Sequence, residues 1–472
     1  MTQSLAAGVG NGHRDEQLEQ PTRRIDADSR RPAQSAATSD SSPSAPRLIR
    51  SVGLFGLTAI SLNGVIGSGI FVLPATVAKL MGPASPMAYI LAAFAMTLIV
   101  LCFAEAGSRF ERTGGPYLYT REAFGSFVGF EVAWMFLLTR IVATAAITNA
   151  CAAYLGFFWP TLASGAGRVV AITVLVSVLA WLNLLGIRYG ARTVNLLTIA
   201  KLVPLLLFIS VGLFAADHHA YKLLALPESG NLRQASLALI FAFGGFENAS
   251  VPSEEVKTPT RSLPIALLVS IGVTTVLYIL IQIVAMGTLP NLANDETPLA
   301  SASRMFLGEG GAAIMAVAGI LSTTGSTSAV MLVGPRIFYA LGEDGLLPRV
   351  LARIHPAYRT PHISVILFAL LTWAFALYGT FAQLVAVSAI ARLVFSAATC
   401  LAIPALRKRS LKPAGFTVPG GALVPFLAAA LSIWLLAGST SAQAIAGASA
   451  LVAGAILFVF FRALSERGKA TN

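Results

Sequence analysis

Two glycine clusters interrupt stretches of apolar sequence that are otherwise suited to long helices. They are residues 64–71 (GVIGSGIF) and residues 241–247 (FAFGGFE). Glycine is a poor helix former, so each cluster predicts a break in its helix. A break leaves main-chain groups without helical partners. Amide N–H groups before a new helix start can hold an anion, and carbonyls at a helix end can hold a cation.

Together, the two breaks predict a site for a molecule with one carboxylate and one ammonium group, as in an α-amino acid. The N–H groups of the first cluster would receive the carboxylate, and the carbonyls of the second would receive the ammonium. The residues predicted to bind this molecule are Ile66, Gly67, Ser68, Gly69, Phe241, Phe243, Gly244, Gly245 and Glu247. The alternative is that the glycines only allow close helix packing. Gly64, Gly67 and Gly69, however, do not repeat at the spacing of four that such packing uses.

Four ionisable residues fall near the middle of apolar stretches: Arg140, Lys201, Glu247 and Arg392. A charge at the centre of a bilayer costs at least about 2.5–3.5 kcal/mol, so these residues are functional candidates. Glu247 follows the second break, where it would contact a cationic side chain of a ligand, gate the pocket, or pair with Arg140 or Arg392. Three mid-span cations face a single mid-span acid, which favours pairing as much as a substrate role, so these interpretations stay open. Glu105 falls closer to the end of a span, where solvation or capping would explain it.

The composition is that of an all-α integral membrane protein. Hydrophobic residues make up 56% of the chain and charged residues 11%, far below the roughly 25% charged residues of soluble domains. Twelve apolar runs are long enough to cross about 30 Å of hydrocarbon. The predicted spans are 52–80, 86–108, 126–156, 167–186, 192–215, 235–256, 263–288, 311–340, 362–378, 381–404, 422–437 and 443–462.

These spans leave no room for a separate soluble domain. We expect a membrane domain over residues 51–463, between a disordered tail of residues 1–50 and a short tail of residues 464–472. The first tail is polar and has no apolar run, so it cannot bury enough surface to fold.

Basic residues are distributed unevenly between the two sides of the predicted membrane domain. Of the 33 Lys and Arg residues, 25 lie in the tails, the even-numbered loops and the span ends beside them, five in the odd-numbered loops and the span ends beside those, and three near mid-span. The positive-inside rule therefore predicts a multi-pass protein of the cell membrane with both termini in the cytoplasm. The net charge of +12 reflects this asymmetry and the anionic lipid surface. It does not indicate nucleic-acid binding.

The sequence carries no motif of an enzyme or of a metal site. It lacks HExxH and GxSxG, and its five histidines all lie in tail or loop segments. The three cysteines, Cys102, Cys151 and Cys400, fall within apolar spans and show no disulfide or metal-binding pattern. We therefore expect no enzymatic activity, no cofactor and no metal.

A short repeat supports a division into two halves. Residues 199–203 (IAKLV) and 390–394 (IARLV) lie 191 positions apart, close to the offset of about 180 between the two glycine clusters. Paired interruptions in corresponding spans of two halves point to a transporter's substrate site. With five spans in each repeat, the two repeats would be inverted relative to one another in the membrane.

Four motifs resemble those of the amino acid–polyamine–organocation permeases. Residues 64–74 (GVIGSGIFVLP) are similar to the first helix of that family, and residues 241–259 to its sixth helix and the following loop. Residues 113–119 (TGGPYLY) resemble an inner loop, and residues 336–348 (RIFYALGEDGLLP) the end of the eighth helix. The resemblance covers about residues 50–465. It implies the leucine-transporter fold, a five-plus-five inverted repeat with broken helices 1 and 6, followed by two C-terminal helices.

The resemblance also implies a secondary active transporter of amino acids that works by alternating access. Sodium-independent members carry a lysine on the fifth helix in place of the coupling sodium, and Lys201 matches it. This implies proton coupling, because a desolvated lysine exchanges its proton readily. A lysine locked as a charge clamp is the alternative. An amino acid exchanger, a polyamine or cationic amino acid permease, and a nutrient sensor on a transporter scaffold are alternative functions. The positive mid-span balance favours zwitterionic amino acids over polyamines.

Overall fold

The structure, a computed structural model, describes residues 53–110, 114–186, 191–217, 219, 229–250, 258–409 and 414–470. Within these residues every regular element is a helix, which confirms the all-α prediction. The predicted tail of residues 1–50 lies outside the described residues. The α-helices are α1 Leu54–Val65, α2 Gly69–Met81, α3 Ser85–Arg109, α4 Pro116–Phe124, α5 Ser126–Gly156, α6 Gly165–Leu184, α7 Ala191–Ala215, α8 Ser229–Ala242, α9 Pro259–Thr288, α10 Pro298–Glu343, α11 His362–Tyr378, α12 Phe381–Lys408, α13 Leu423–Leu436 and α14 Ser441–Ala470.

Within the described residues, each of the twelve predicted spans coincides with a helix or with a broken helix. The third span, predicted over 126–156, matches α5, and the ninth matches α11. Eight helical segments of the described chain are long and apolar enough to cross a membrane on their own. The shorter apolar helices are α1, α11 and α13. The last predicted span continues as helix through α14 to Ala470.

Two features of the helices differ from the spans predicted from the sequence. Helix α4 was not among them, because it is only nine residues long and mixes apolar with polar side chains. Helix α10 begins well before residue 311 and bends at Gly308, whose φ of 66° lies in the left-handed region that favours glycine. The segment before this bend is a separate helical arm that precedes the eighth span.

The order of helices follows the predicted five-plus-five arrangement. The first five spans run from the α1/α2 pair to α7, and the next five run from α8 to α12, with α13 and α14 added at the end. Each set of five opens with a broken helix. Helix α5 lies in the core, with 83% of its most apolar 18 residues buried, whereas α14 lies at the periphery, with 11%. The three cysteines are unpaired and buried.

Candidate functional site

The first broken helix loses its regular hydrogen bonding over three residues. Helix α1 ends at Val65, Ile66 leaves the helical region with a ψ of 83°, and the Gly67 N–H turns back to the Val65 carbonyl at 2.9 Å. Helix α2 restarts when Phe71 and Val72 donate to the Ser68 carbonyl, both at 3.1 Å. The amide groups ahead of that first helical bond therefore lie at the positive end of α2.

The second broken helix opens at the end of α8. The Gly244 N–H donates to the Phe241 carbonyl at 3.1 Å, and Gly245 adopts a φ of 111°, which only glycine adopts without strain. A short 3₁₀ turn, Phe246–Ser250, follows. Residues 251–257, which complete the sixth-helix motif, lie outside the described residues.

The two breaks lie against each other. A Cβ atom on Gly64 would come within 2.7 Å of the Gly245 carbonyl oxygen, and one on Gly69 within 2.7 Å of the Ala242 Cα. These two glycines therefore do allow close helix packing. Gly67 differs, since its nearest neighbour would be the Ser326 hydroxyl at an ordinary 3.4 Å. The packing interpretation thus applies to Gly64 and Gly69, and the binding role of Gly67 stays a prediction.

A tyrosine that the sequence analysis did not single out joins the two breaks. The hydroxyl of Tyr278, on α9, lies 3.0 Å from the Val65 carbonyl and 3.2 Å from the Ala242 carbonyl. Its ring packs on Phe243, with centroids 5.2 Å apart, and is fully buried. Tyrosine in an apolar span gives no local sign of such a role, because its partners are main-chain atoms distant in the sequence.

Lys201, on α7, also contacts the first break. Its fully buried ammonium donates to the Ile66 carbonyl at 2.7 Å and to the Asn63 carbonyl at 3.3 Å. The Ser322 hydroxyl of α10 donates to the same Ile66 oxygen at 3.2 Å. No carboxylate in the described part of the chain forms an ion pair with this lysine. The end of α1, helix α7 and helix α10 therefore meet at a single carbonyl.

Glu247 lies between two arginines. One carboxylate oxygen makes a close ion pair with the Arg392 guanidinium and lies 3.4 Å from Arg140 Nη2. The other oxygen accepts the Gly245 N–H at 2.9 Å. All three ionisable side chains are at least 97% buried. Glu247 thus forms the predicted ion pairs with the arginines, and it does so beside the second break, where the substrate-binding interpretation also puts it.

The aromatic residues of the second break point to different neighbours. Phe241 packs edge-on against Phe381 at the start of α12, with centroids 6.0 Å apart, whereas Phe243 faces Tyr278. Phe246 packs against Phe103 of α3. Gly244 has no side chain because the Arg392 guanidinium fills that space: a Cβ there would overlap the guanidinium carbon.

Two motifs that carry the family resemblance meet at the end of the bundle where α4 lies. The Tyr117 hydroxyl donates to Asp344 at 2.5 Å, and Arg121 Nη1 lies 2.8 Å from the same carboxylate oxygen. Burial and the neighbouring Asp344 carboxylate raise the pKa of Tyr117, so its hydroxyl stays a donor at neutral pH. Because the Arg121 and Asp344 side chains are 42% and 37% exposed, this pair contributes at most about 1 kcal/mol.

Glu105 is paired with arginines, not solvated or capping as the sequence suggested. Its fully buried carboxylate lies 2.5 Å from Arg407 Nη2 and 2.7 Å from Arg109 Nη2, and it accepts the Val418 N–H at 2.8 Å. Glu105 thus connects α3 to the end of α12 and to the chain ahead of α13. Sequence reasoning missed it because its main partner, Arg407, is 302 residues away.

Comparison with known proteins gives one consistent result. Residues 52–461 match the model of a family described as amino acid permease. The chain is 29% identical to the methylthioribose transporter of Bacillus subtilis, with 82% of this chain and 88% of the relative covered. It is 29% identical to the branched-chain amino acid permease BcaP, with the same coverage, and 30% identical to the serine/threonine exchanger SteT, over 83% and 91%, both of B. subtilis. These relatives are transporters. The chain is a multi-pass membrane protein that belongs to the amino acid permease family of the amino acid–polyamine–organocation superfamily.

Proposed function

We propose that this protein is a secondary active transporter that carries amino acids across the cell membrane by alternating access, independently of sodium and coupled to protons. The paired breaks support the substrate class, because the positive end of α2 and the opened end of α8 lie side by side. An α-amino acid carries a carboxylate and an ammonium group, the two charges that these helix ends attract. BcaP and SteT, which are similar to this chain over most of its length, are a permease and an exchanger of amino acids.

The observation that carries the coupling proposal is the contact between Lys201 and the first break. Its ammonium donates to the carbonyl of Ile66, the residue at which α1 unwinds. Protonation of this amine therefore changes a hydrogen bond within the substrate-binding break. A buried amine has two accessible protonation states when its surroundings alternate between wet and occluded, so it can transfer a proton in each cycle.

The experiment is uptake of a radiolabelled amino acid panel into proteoliposomes that contain the purified full-length protein. We expect uptake to persist when sodium is replaced by choline and to rise with an inward proton gradient. Lys201→Ala should remove the dependence on the proton gradient while the protein still binds substrate. Lys79→Ala, which changes an exposed lysine at the end of α2, is the matched control. Sodium-driven uptake that ignores pH would show Lys201 to be a structural clamp.

The orientation is part of the same proposal, with both termini in the cytoplasm. Its support is the excess of Lys and Arg in the tails and even-numbered loops. Accessibility of epitope tags at the two termini in intact and permeabilised cells tests it. A terminal tag that binds antibody in intact cells would reverse the orientation.

An exchange mechanism is a second candidate, favoured by the similarity to the serine/threonine exchanger SteT. An exchanger would take up labelled amino acid only when the vesicles contain unlabelled substrate. Uptake into empty, proton-energised vesicles supports symport. A protein that binds amino acids and transports none in either assay would be a sensor on a transporter scaffold.

A further inference from the structure

The buried ion cluster around Glu247 has more positive than negative charge. Two guanidinium groups, from Arg140 and Arg392, share one carboxylate, which leaves a net charge of +1. The exposed fraction is 2% for Arg140, 3% for Arg392 and zero for Glu247. Buried charges in proteins are normally balanced, since an unpaired charge is costly in a medium of low dielectric constant. Among the residues that the structure describes, the cluster therefore lacks one anion.

The same cluster has more hydrogen-bond donors than acceptors. Each guanidinium carries five N–H donors, and the Glu247 carboxylate also accepts the Gly245 N–H. Among the described residues, Nε of both arginines has no hydrogen-bond partner. Buried polar atoms are nearly always hydrogen-bonded. The unpaired groups are therefore N–H donors of two cations, and their natural partner is an oxyanion.

On α12, two further unpaired groups lie on the same face as Arg392. Ser388 and Ser396, four residues before and after Arg392, are fully buried, and their hydroxyls have no partner in the described chain. Residues four apart lie on the same side of a helix. One planar face of the Arg140 guanidinium is covered by the Phe136 ring at 4.5 Å, which leaves its edge as the hydrogen-bonding surface.

This face adjoins the proposed amino acid site. The Arg392 guanidinium packs directly on Gly244, in the opened segment of the second broken helix. The Glu247 carboxylate accepts a hydrogen bond from the N–H of Gly245, the residue after Gly244. A ligand bound between the two breaks thus has the arginine cluster as an immediate neighbour.

We infer that Arg140 and Arg392 form an anion-accepting subsite that receives the side-chain carboxylate of an acidic amino acid and rejects cationic side chains. This inference rests on the proposed function and specifies its substrate class. A carboxylate would supply the missing negative charge and accept from the free guanidinium N–H groups, as charge-assisted pairs do. A lysine or ornithine side chain would add a third cation beside two others. A small inorganic anion also carries negative charge and is the other candidate ligand of this subsite.

The test compares glutamate with glutamine, which have the same shape and differ in charge, and with ornithine. The readouts are competition for uptake in proteoliposomes and thermal stabilisation of the purified full-length protein by each ligand. We expect glutamate to compete about tenfold better than glutamine, and ornithine least well. The thermal stability of the purified protein is also compared in chloride and in gluconate. Higher stability in chloride identifies a small inorganic anion as the ligand.

Two variants separate recognition from folding. Arg392→Gln and Arg140→Gln each leave one arginine balanced by Glu247, so both should fold, and both should reduce the glutamate-to-glutamine ratio to about one. Arg304→Gln, which changes an arginine whose side chain is 45% exposed, is the matched control and should keep the parent ratio.

Each outcome of these experiments either supports or overturns the anion-accepting subsite. A charge preference, or a chloride effect, that disappears in either folded variant supports the subsite. Equal response of the parent to glutamate and glutamine, without a chloride effect, overturns it, as does a preference that survives both substitutions. Transport of amino acids with neither a charge preference nor a chloride effect would remove only the subsite. Failure to bind or transport any amino acid would remove the proposed function, and stabilisation by anions would still decide the subsite.

Discussion

Replacing Tyr278 by Phe should weaken substrate binding without unfolding the protein. The substitution removes one hydroxyl and keeps the ring that packs on Phe243. That hydroxyl lies within hydrogen-bond distance of one carbonyl in each broken helix, Val65 and Ala242. The two breaks would then lose the side chain that fixes their relative position.

The expected magnitude follows from what remains after the hydroxyl is removed. The Val65 carbonyl keeps a second donor, the Gly67 N–H at 2.9 Å, whereas the Ala242 carbonyl would lose its Tyr278 donor. A buried acceptor without a partner costs about 1–3 kcal/mol. If this cost falls on the binding-competent arrangement of the breaks, substrate affinity drops by a factor of about 5–150.

The assay is equilibrium binding of the best substrate from the uptake panel, together with thermal unfolding in detergent. Tyr89→Phe is the matched control, because it also removes a buried hydroxyl, one that bonds to Gln282 and not to a break. We expect both variants to lose some thermal stability and only Tyr278→Phe to lose affinity. If Tyr278→Phe binds substrate as tightly as the parent, or if both variants lose affinity equally, Tyr278 does not set the geometry of the site.

Four further substitutions test the same site and the ion pairs of Glu105. Gly69→Val should prevent correct folding, because its Cβ would lie 2.7 Å from Ala242. A Cβ at Gly67 meets only an ordinary contact, so Gly67→Val should fold and should abolish substrate binding. Normal binding by a folded Gly67→Val protein would place the site elsewhere. Glu247→Gln leaves two buried arginines without a counter-charge and should cost about 3–5 kcal/mol, measured as lower thermal stability and loss of every substrate together. Selective loss of cationic substrates by a stable variant would instead assign Glu247 to substrate recognition. Glu105→Gln should destabilise the protein to a similar degree while a folded fraction keeps its substrate preference, and an unchanged melting temperature would contradict this.

The sequence was sufficient to place the two breaks, because glycine acts locally on helix propensity. It also located the spans, since apolar length is a property of a single segment. The boundaries of α5 and α11 were predicted to the residue. Helix α4 was not predicted, because it is too short to cross the hydrocarbon and contains no long apolar run.

The contacts that complete the site depend on how helices are rotated about their axes. Whether Glu247 meets Arg140, Arg392 or both is decided by α5 and α12, and the residues involved are separated by more than 100 positions. Tyr278 and Ser322 act on main-chain carbonyls, so no complementary residue type in the sequence signals their partners. The same limit applies to Gly244, because nothing in the sequence indicates that the Arg392 guanidinium packs against it.

The burial of all three cysteines has a practical consequence for watching this protein move. Cys102, Cys151 and Cys400 are unpaired, and each has no more than 1% of its surface exposed. Water-soluble maleimides react with exposed thiolates, so the unmodified protein should be nearly silent to them. A single cysteine introduced beside either break would then be the main reactive thiol. Its labelling rate, with and without substrate, would report directly on which side of the membrane water reaches the site.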